Sequence, residues 1–193
     1  MSPRFARFIL RLFNWGIEGT IPESLHKYVV IAAPHTSWWD FFVGLLARAA
    51  IDRRILFLAK NSLFKPPLGW FMRWLGGYPV DRSKNTKLVD QVITLFNQKS
   101  ELALSIAPEG TRKRVTEFKT GFYYIARGAK VPIICVRLDY GNKKVTFSPP
   151  FYPTENAQED LRKLWNHFVG VRGKRPELSV MDEKLSNNQV VMG

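Results

Sequence analysis

Cysteine is almost missing from this chain of 193 residues: Cys135 stands alone, so no internal disulfide can staple the fold. It lies in the apolar run Val131-Pro132-Ile133-Ile134-Cys135-Val136 and reads as a buried thiol in a reducing compartment. Also missing is any uninterrupted stretch of the about 18 to 20 apolar residues that a membrane-spanning helix requires. Histidine is scarce. His26, His35 and His167 have no cysteine or acid at ligand spacing, so neither a metal site nor a cofactor is expected. Acidic residues are few, 16 against 29 lysines and arginines, which leaves a formal net charge of +13. A deficit of negative charge that large points to an anionic partner: phospholipid headgroups, nucleic acid or a phosphorylated small molecule. Hydrophobic residues make up 46% of the chain, too many for a disordered segment, and the length suits one domain with its own core.

The first 13 residues, MSPRFARFILRLF, thread arginines through apolar side chains. A signal peptide keeps its charges ahead of an unbroken apolar core, so that reading is excluded. Helical spacing puts Arg4, Arg7 and Arg11 on one face, with Ala6, Ile9, Leu10, Phe13 and Ile17 largely opposite. A basic helix with aromatics suits the plane of an anionic bilayer surface, and an ordinary helix packed on a domain has the same pattern. Residues 1–20 are therefore expected to form a basic amphipathic helix, 21–171 the main domain, and 172–193 a frayed polar tail.

Strands are expected over residues 27–33, 55–59, 102–106, 131–138 and 144–147, from their short β-branched apolar runs. Helices are expected over 38–50, beginning at a Thr or Ser cap, and over 85–98, 121–128 and 160–169. The stretch 60–78, with its prolines, glycines and aromatics, reads as helical turns and loops on the surface. Within it the run from Phe64 to Trp74 would make a sizeable apolar patch if exposed, or a core-packing helix if not. Strands alternating with helices give the fold class: one α/β domain with a mixed, largely parallel sheet flanked by helices.

Three loops carry candidate chemistry. In Pro34-His35-Thr36-Ser37-Trp38-Trp39-Asp40 a histidine and an aspartate stand in an H-x4-D spacing where a strand passes into a helix. Neutral imidazole is suited to taking a proton from an attacking hydroxyl near pH 7. An aspartate on the first helical turn can reach the other ring nitrogen and hold its tautomer. The same residues also fit a plain capping box, Ser37-x-x-Asp40, in which Asp40 only satisfies an amide. The second loop is Glu109-Gly110-Thr111-Arg112, again just past a strand. Gly110 allows a close backbone approach, and Thr111 and Arg112 offer donors that match phosphate. A solvated turn with a local Glu–Arg pair is the bland alternative. The third is Gly76-Gly77-Tyr78-Pro79-Val80-Asp81-Arg82-Ser83, with Lys60 upstream, where Arg82 could be a second phosphate ligand; a turn with a local Asp–Arg contact is the alternative.

Taken in order along residues 27–153, these blocks resemble the 1-acylglycerol-3-phosphate (lysophosphatidic acid) acyltransferases and related glycerolipid acyltransferases. His35 and Asp40 match that family's catalytic base and its orienting acid. Lys60 and Arg82 look like its second block, and Glu109, Gly110, Thr111 and Arg112 match its third; both blocks bind the acceptor. Residues 131–134 are similar to the fourth, a strand near the active site, and Lys119 and Gly121 also fall in place. The resemblance implies transfer of an acyl chain from acyl-CoA or acyl carrier protein to a lysophospholipid hydroxyl. It further implies peripheral attachment to membrane lipids on the cytoplasmic face of the inner membrane. Ala107 and Pro79 depart from the usual pattern and leave O-acylation of another lipid, such as an aminolipid, open. A nucleic-acid partner would fit the charge but gives no reason for H-x4-D and EGTR to coexist, so none is expected.

Overall fold

In a computed structural model, residues 1–80 and 85–180 are described, with residues 85–87 as backbone only. Helix α1 spans Pro3–Leu12, strand β1 Gly16–Glu18, β2 Lys27–Ala33, helix α2 Trp39–Ala50 and β3 Leu56–Lys60. A 3-10 turn at Asn61–Phe64 and the short helix α3, Gly69–Trp74, lead to β4, Gly77–Val80. Then come α4 (Asn85–Gln98), β5 (Leu102–Ile106), α5 (Gly121–Gly128), β6 (Ile133–Asp139), β7 (Lys144–Phe147) and α6 (Ala157–Asn166).

Among the described residues seven strands form one sheet in the order β1-β7-β6-β2-β5-β3-β4. Only β6 and β7 run antiparallel, joined by the short turn a hairpin allows. The central strand β2 pairs in parallel with β5 on one side and β6 on the other. Parallel strands buried on both faces carry continuous apolar sequence, which is why KYVVIAA does not alternate. Val29, Ile31 and Ala33 point into a core shared with Val92, Phe96, Phe122 and Trp165 from α4, α5 and α6. Tyr28 and Val30 point the other way, against Ala6 and Leu10 of α1 and Val43 and Ala47 of α2. Cys135 is buried in the first of these layers.

The expected α/β class holds, and several boundaries need correction. The N-terminal helix ends at Leu12, and Gly16–Glu18 is an edge strand parallel to β7; Ile17 belongs to that strand. Phe13 is exposed. The apolar residues of α1 therefore divide: Ala6 and Leu10 pack inward, whereas Phe5, Phe8 and Leu12 face out. The last helix starts at Ala157, three residues earlier than expected, because the Asn156 side chain accepts the Glu159 amide at 3.1 Å. The surface stretch 60–78 runs into β4, Gly77–Val80, whose glycine and proline had hidden it. The patch reading of the Phe64 to Trp74 run holds for much of it: Leu68, Trp70 and Trp74 are exposed. Finally, residues 172–180 are packed. Val180 joins the core, and the Arg175 amide donates to the Thr36 hydroxyl at 3.2 Å. Residues 181–193 lie outside the described part.

Candidate active site

Parallel pairing decides which loops meet. Because β2 and β5 are neighbours in register from Lys27↔Leu102 to Ile31↔Ile106, the turns that follow them leave the same end of the sheet. That places His35, two residues beyond β2, beside Glu109, three beyond β5. The Glu109 Oε1 accepts the His35 backbone N–H at 2.7 Å. The local Glu–Arg pair that four residues alone suggest is not what forms; the carboxyl reaches across to the neighbouring loop. Glu109 is buried, and burial raises its carboxyl from the ordinary 4.5 to about 7, offset in part by the hydrogen bond from the His35 amide.

His35 keeps its ring partly open, with 23% of the side chain exposed, while the Asp40 side chain is buried. Nδ1 of His35 stands 3.3 Å from Asp40 Oδ2. The same oxygen accepts the Ser37 amide at 2.7 Å, and the Ser37 hydroxyl accepts the Trp39 amide at 3.3 Å. One carboxylate oxygen of Asp40 thus both accepts the Ser37 amide and faces the imidazole. The helix itself starts at Trp39, with Trp38 in the cap position and no side-chain cap there.

Nε2 of His35 accepts a hydrogen bond from Arg112 Nε at 3.3 Å, and the Arg112 guanidinium carbon lies 3.8 Å above the Trp38 ring. An imidazole that accepts at Nε2 carries its proton on Nδ1, facing Asp40, which is the tautomer a general base needs. Gly110 adopts φ +67°, the left-handed region that favours glycine, and a Cβ there would stand 3.1 Å from the flexible end of Lys119, at Nζ. The Lys119 amide donates to the Pro108 carbonyl at 2.8 Å and closes the loop. Thr111 is exposed, and its hydroxyl accepts the Lys113 amide at 3.2 Å. Lys60 ends β3 on this same rim, exposed to solvent, opposite Val80 of β4. Arg82 lies outside the described residues.

A sequence model of the family described as Acyltransferase matches residues 16–139, which contain β1 to β6 and both motif loops. This chain belongs to the Acyltransferase family. Its relatives include the 1-acyl-sn-glycerol-3-phosphate acyltransferase of Streptococcus pneumoniae, 30% identical over 68% of this chain and 52% of that protein. The Escherichia coli protein of the same name is 28% identical over 92% of this chain and 79% of its own length. The chain spans about half the length of the Streptococcus pneumoniae and Saccharomyces cerevisiae relatives, 52% and 44%. Among solved structures, the 1-acyl-sn-glycerophosphate (LPA) acyltransferase PlsC from Thermotoga maritima superposes with a TM-score of 0.61 over 99% of this chain and 79% of that one. At 22% identity that likeness speaks for the fold alone.

Two groups around this candidate site were not legible in the sequence. Tyr140, just past β6, lies near the Asp40 carboxylate; burial above all, and then the Asp40 charge, raise the phenol. Asp40 Oδ1 and the Tyr140 hydroxyl are both buried without a hydrogen-bond partner. The segment 172–180 crosses the motif loop, with Arg175 on Thr36 and Lys174 Nζ 4.6 Å above the Trp39 ring. A tyrosine after a strand and a polar C-terminal run carry no pattern of their own.

Proposed function

We propose that this chain transfers a fatty acyl group from acyl-CoA or acyl carrier protein to the hydroxyl of a lysophospholipid, most naturally 1-acyl-glycerol-3-phosphate, in phospholipid biosynthesis. The observation that carries this reading is the partly exposed His35 ring at the strand-end rim, with Nδ1 3.3 Å from Asp40 and Nε2 facing Arg112. In the reaction Nε2 takes the acceptor's hydroxyl proton as its oxygen bonds to the thioester carbonyl carbon. The carbon–sulfur bond then breaks, and the imidazolium returns the proton to the departing thiolate. Asp40 stabilises the imidazolium between these steps. The transfer is direct and uses no cofactor, because the thioester is already activated and no serine or cysteine stands beside a base in these loops.

The acceptor phosphate falls to Arg112, whose planar fork matches it, with Lys60 and Arg82 from the second block. Arg112→Ala is expected to raise the acceptor KM about 10- to 100-fold, the value of a charge-assisted hydrogen bond, with a smaller effect on kcat. Initial rates over a range of lysophosphatidic acid concentrations check this; an unchanged KM discards the phosphate role. Purified protein incubated with labelled acyl-CoA or acyl carrier protein and a panel of lysophospholipids and aminolipids tests the function itself. Product on the aminolipid alone would reassign the acceptor, and no product on any would reject the reading.

The surface supports attachment to the cytoplasmic face of the inner membrane as a peripheral protein. On α1 the exposed Phe5, Phe8 and Leu12 stand beside the exposed Arg4 and Arg11, while α3 turns Trp70 and Trp74 outward. None of the described helices is long and apolar enough to cross a bilayer. Removing residues 1–16 would also strip Ala6, Leu10 and Trp15 from the core, so substitution of the exposed face is the cleaner test. Phe5→Ser with Phe8→Ser is expected to weaken partition onto phosphatidylglycerol vesicles by about tenfold or more, and raised salt to weaken wild-type binding. Sedimentation of protein with vesicles reads both, and unaltered partition removes α1 from the contact.

A further inference from the structure

Arg112 meets two partners at once. Its Nε–H donates to His35 Nε2 at 3.3 Å, and its guanidinium carbon lies 3.8 Å over the Trp38 ring. Nε2 is the atom that takes the acceptor's proton in the reaction proposed above, and a lone pair already engaged by a cation cannot do so. A hydroxyl can reach Nε2 only as Arg112 turns aside. A phosphate monoester has the chemistry to draw it away, since it binds the guanidinium fork through two parallel hydrogen bonds where the imidazole accepts one long one.

Trp38 is 69% exposed, an unusual place for an indole that had only to fill a core. Its neighbour Trp39 is also exposed but faces Lys174 and Phe42 instead. The face of Trp38 is given to Arg112, and a cation over an aromatic ring at this separation is attracted by the ring's negative face.

We propose that Trp38 is a positioning residue that parks Arg112 on Nε2 of His35, so that the base is uncovered when an acceptor phosphate takes the guanidinium. The inference rests on the acyltransferase reading given above. It joins two tasks in one arginine: an acceptor bearing phosphate frees the base as it binds, and an acceptor without phosphate meets a covered base. Discrimination between the two then arises at the proton-transfer atom as well as at the binding step.

The test compares Trp38→Ala, Trp38→Leu and Trp38→Phe with wild type, using lysophosphatidic acid and the matching monoacylglycerol as acceptors. The ratio of kcat for the two acceptors, phosphorylated over unphosphorylated, should fall about 3- to 30-fold in Trp38→Ala and Trp38→Leu, through faster turnover of the unphosphorylated one, while the KM of the phosphorylated one falls as the parked contact no longer competes. Trp38→Phe, which restores an aromatic face, should recover most of the ratio. A merely structural role would depress both acceptors alike. A ratio unchanged in the alanine and leucine variants, or lost equally in the phenylalanine one, overturns the inference. A second readout needs no turnover: carbethoxylation of His35 by diethylpyrocarbonate, followed by mass spectrometry of its peptide, should be several-fold faster in Trp38→Ala than in wild type. Equal labelling rates also overturn it. If wild type acylates neither acceptor, the acyltransferase reading is what fails, and the labelling comparison still decides whether Trp38 keeps Nε2 covered.

Discussion

His35→Ala is expected to lower kcat by about 10²- to 10⁴-fold, the usual value of a positioned general base, with little change in the acceptor KM. The substitution is clean for a physical reason. The contact between this residue and Glu109 runs through the His35 backbone N–H, which alanine keeps. Its ring is partly exposed, so truncation opens no sealed cavity. Arg112 retains Trp38, and Asp40 retains the Ser37 amide. What disappears is the nitrogen proposed to take the proton. Single-turnover assays with labelled acyl donor measure the loss directly, and a near-normal rate would remove the mechanism.

Glu109→Gln should change how stability depends on pH. The carboxyl is raised from 4.5 to about 7, chiefly by burial. Between about pH 4.5 and pH 7 the folded chain therefore holds a proton that the unfolded chain has released. Its contribution is present in full below the unfolded value and is lost as pH rises through the folded one. A difference of that size corresponds to roughly 3 kcal/mol across the window. Glutamine stays neutral throughout and keeps a side-chain oxygen for the His35 amide. Urea unfolding at pH 5 and pH 7.5 should show the variant gaining on wild type by about 2 to 3 kcal/mol as pH rises. Parallel pH profiles for the two proteins would contradict the burial argument. The same titration lies beneath the His35 loop, since Glu109 accepts the His35 backbone N–H.

Much of the architecture was readable from local pattern. The strands Lys27–Ala33, Leu102–Ile106 and Lys144–Phe147 and the helices Asn85–Gln98 and Gly121–Gly128 fall on the expected bounds, because apolar runs and periodic faces are properties of consecutive residues. Gly16–Glu18 and Gly77–Val80 escaped notice. Both are short edge strands, and the second carries a proline, so neither contains enough sequence to show a period. The 172–180 segment looked frayed because its composition is polar; it packs through a backbone amide on Thr36 and through Val180.

The site divides in the same way. His35 and Asp40 lie five positions apart on one turn, and that spacing alone lets the carboxylate reach back to the ring. Sequence also determined the charge surplus, the lone thiol, and the ordered blocks that marked the family. Tertiary structure alone decided that Glu109 grips the His35 amide, that Arg112 rests between Nε2 and Trp38, and that Tyr140 and Arg175 close on the same loop. Those contacts depend on β2 lying between β5 and β6, and strand order is set by the packing of the whole sheet against its helices, which no run of neighbouring residues encodes.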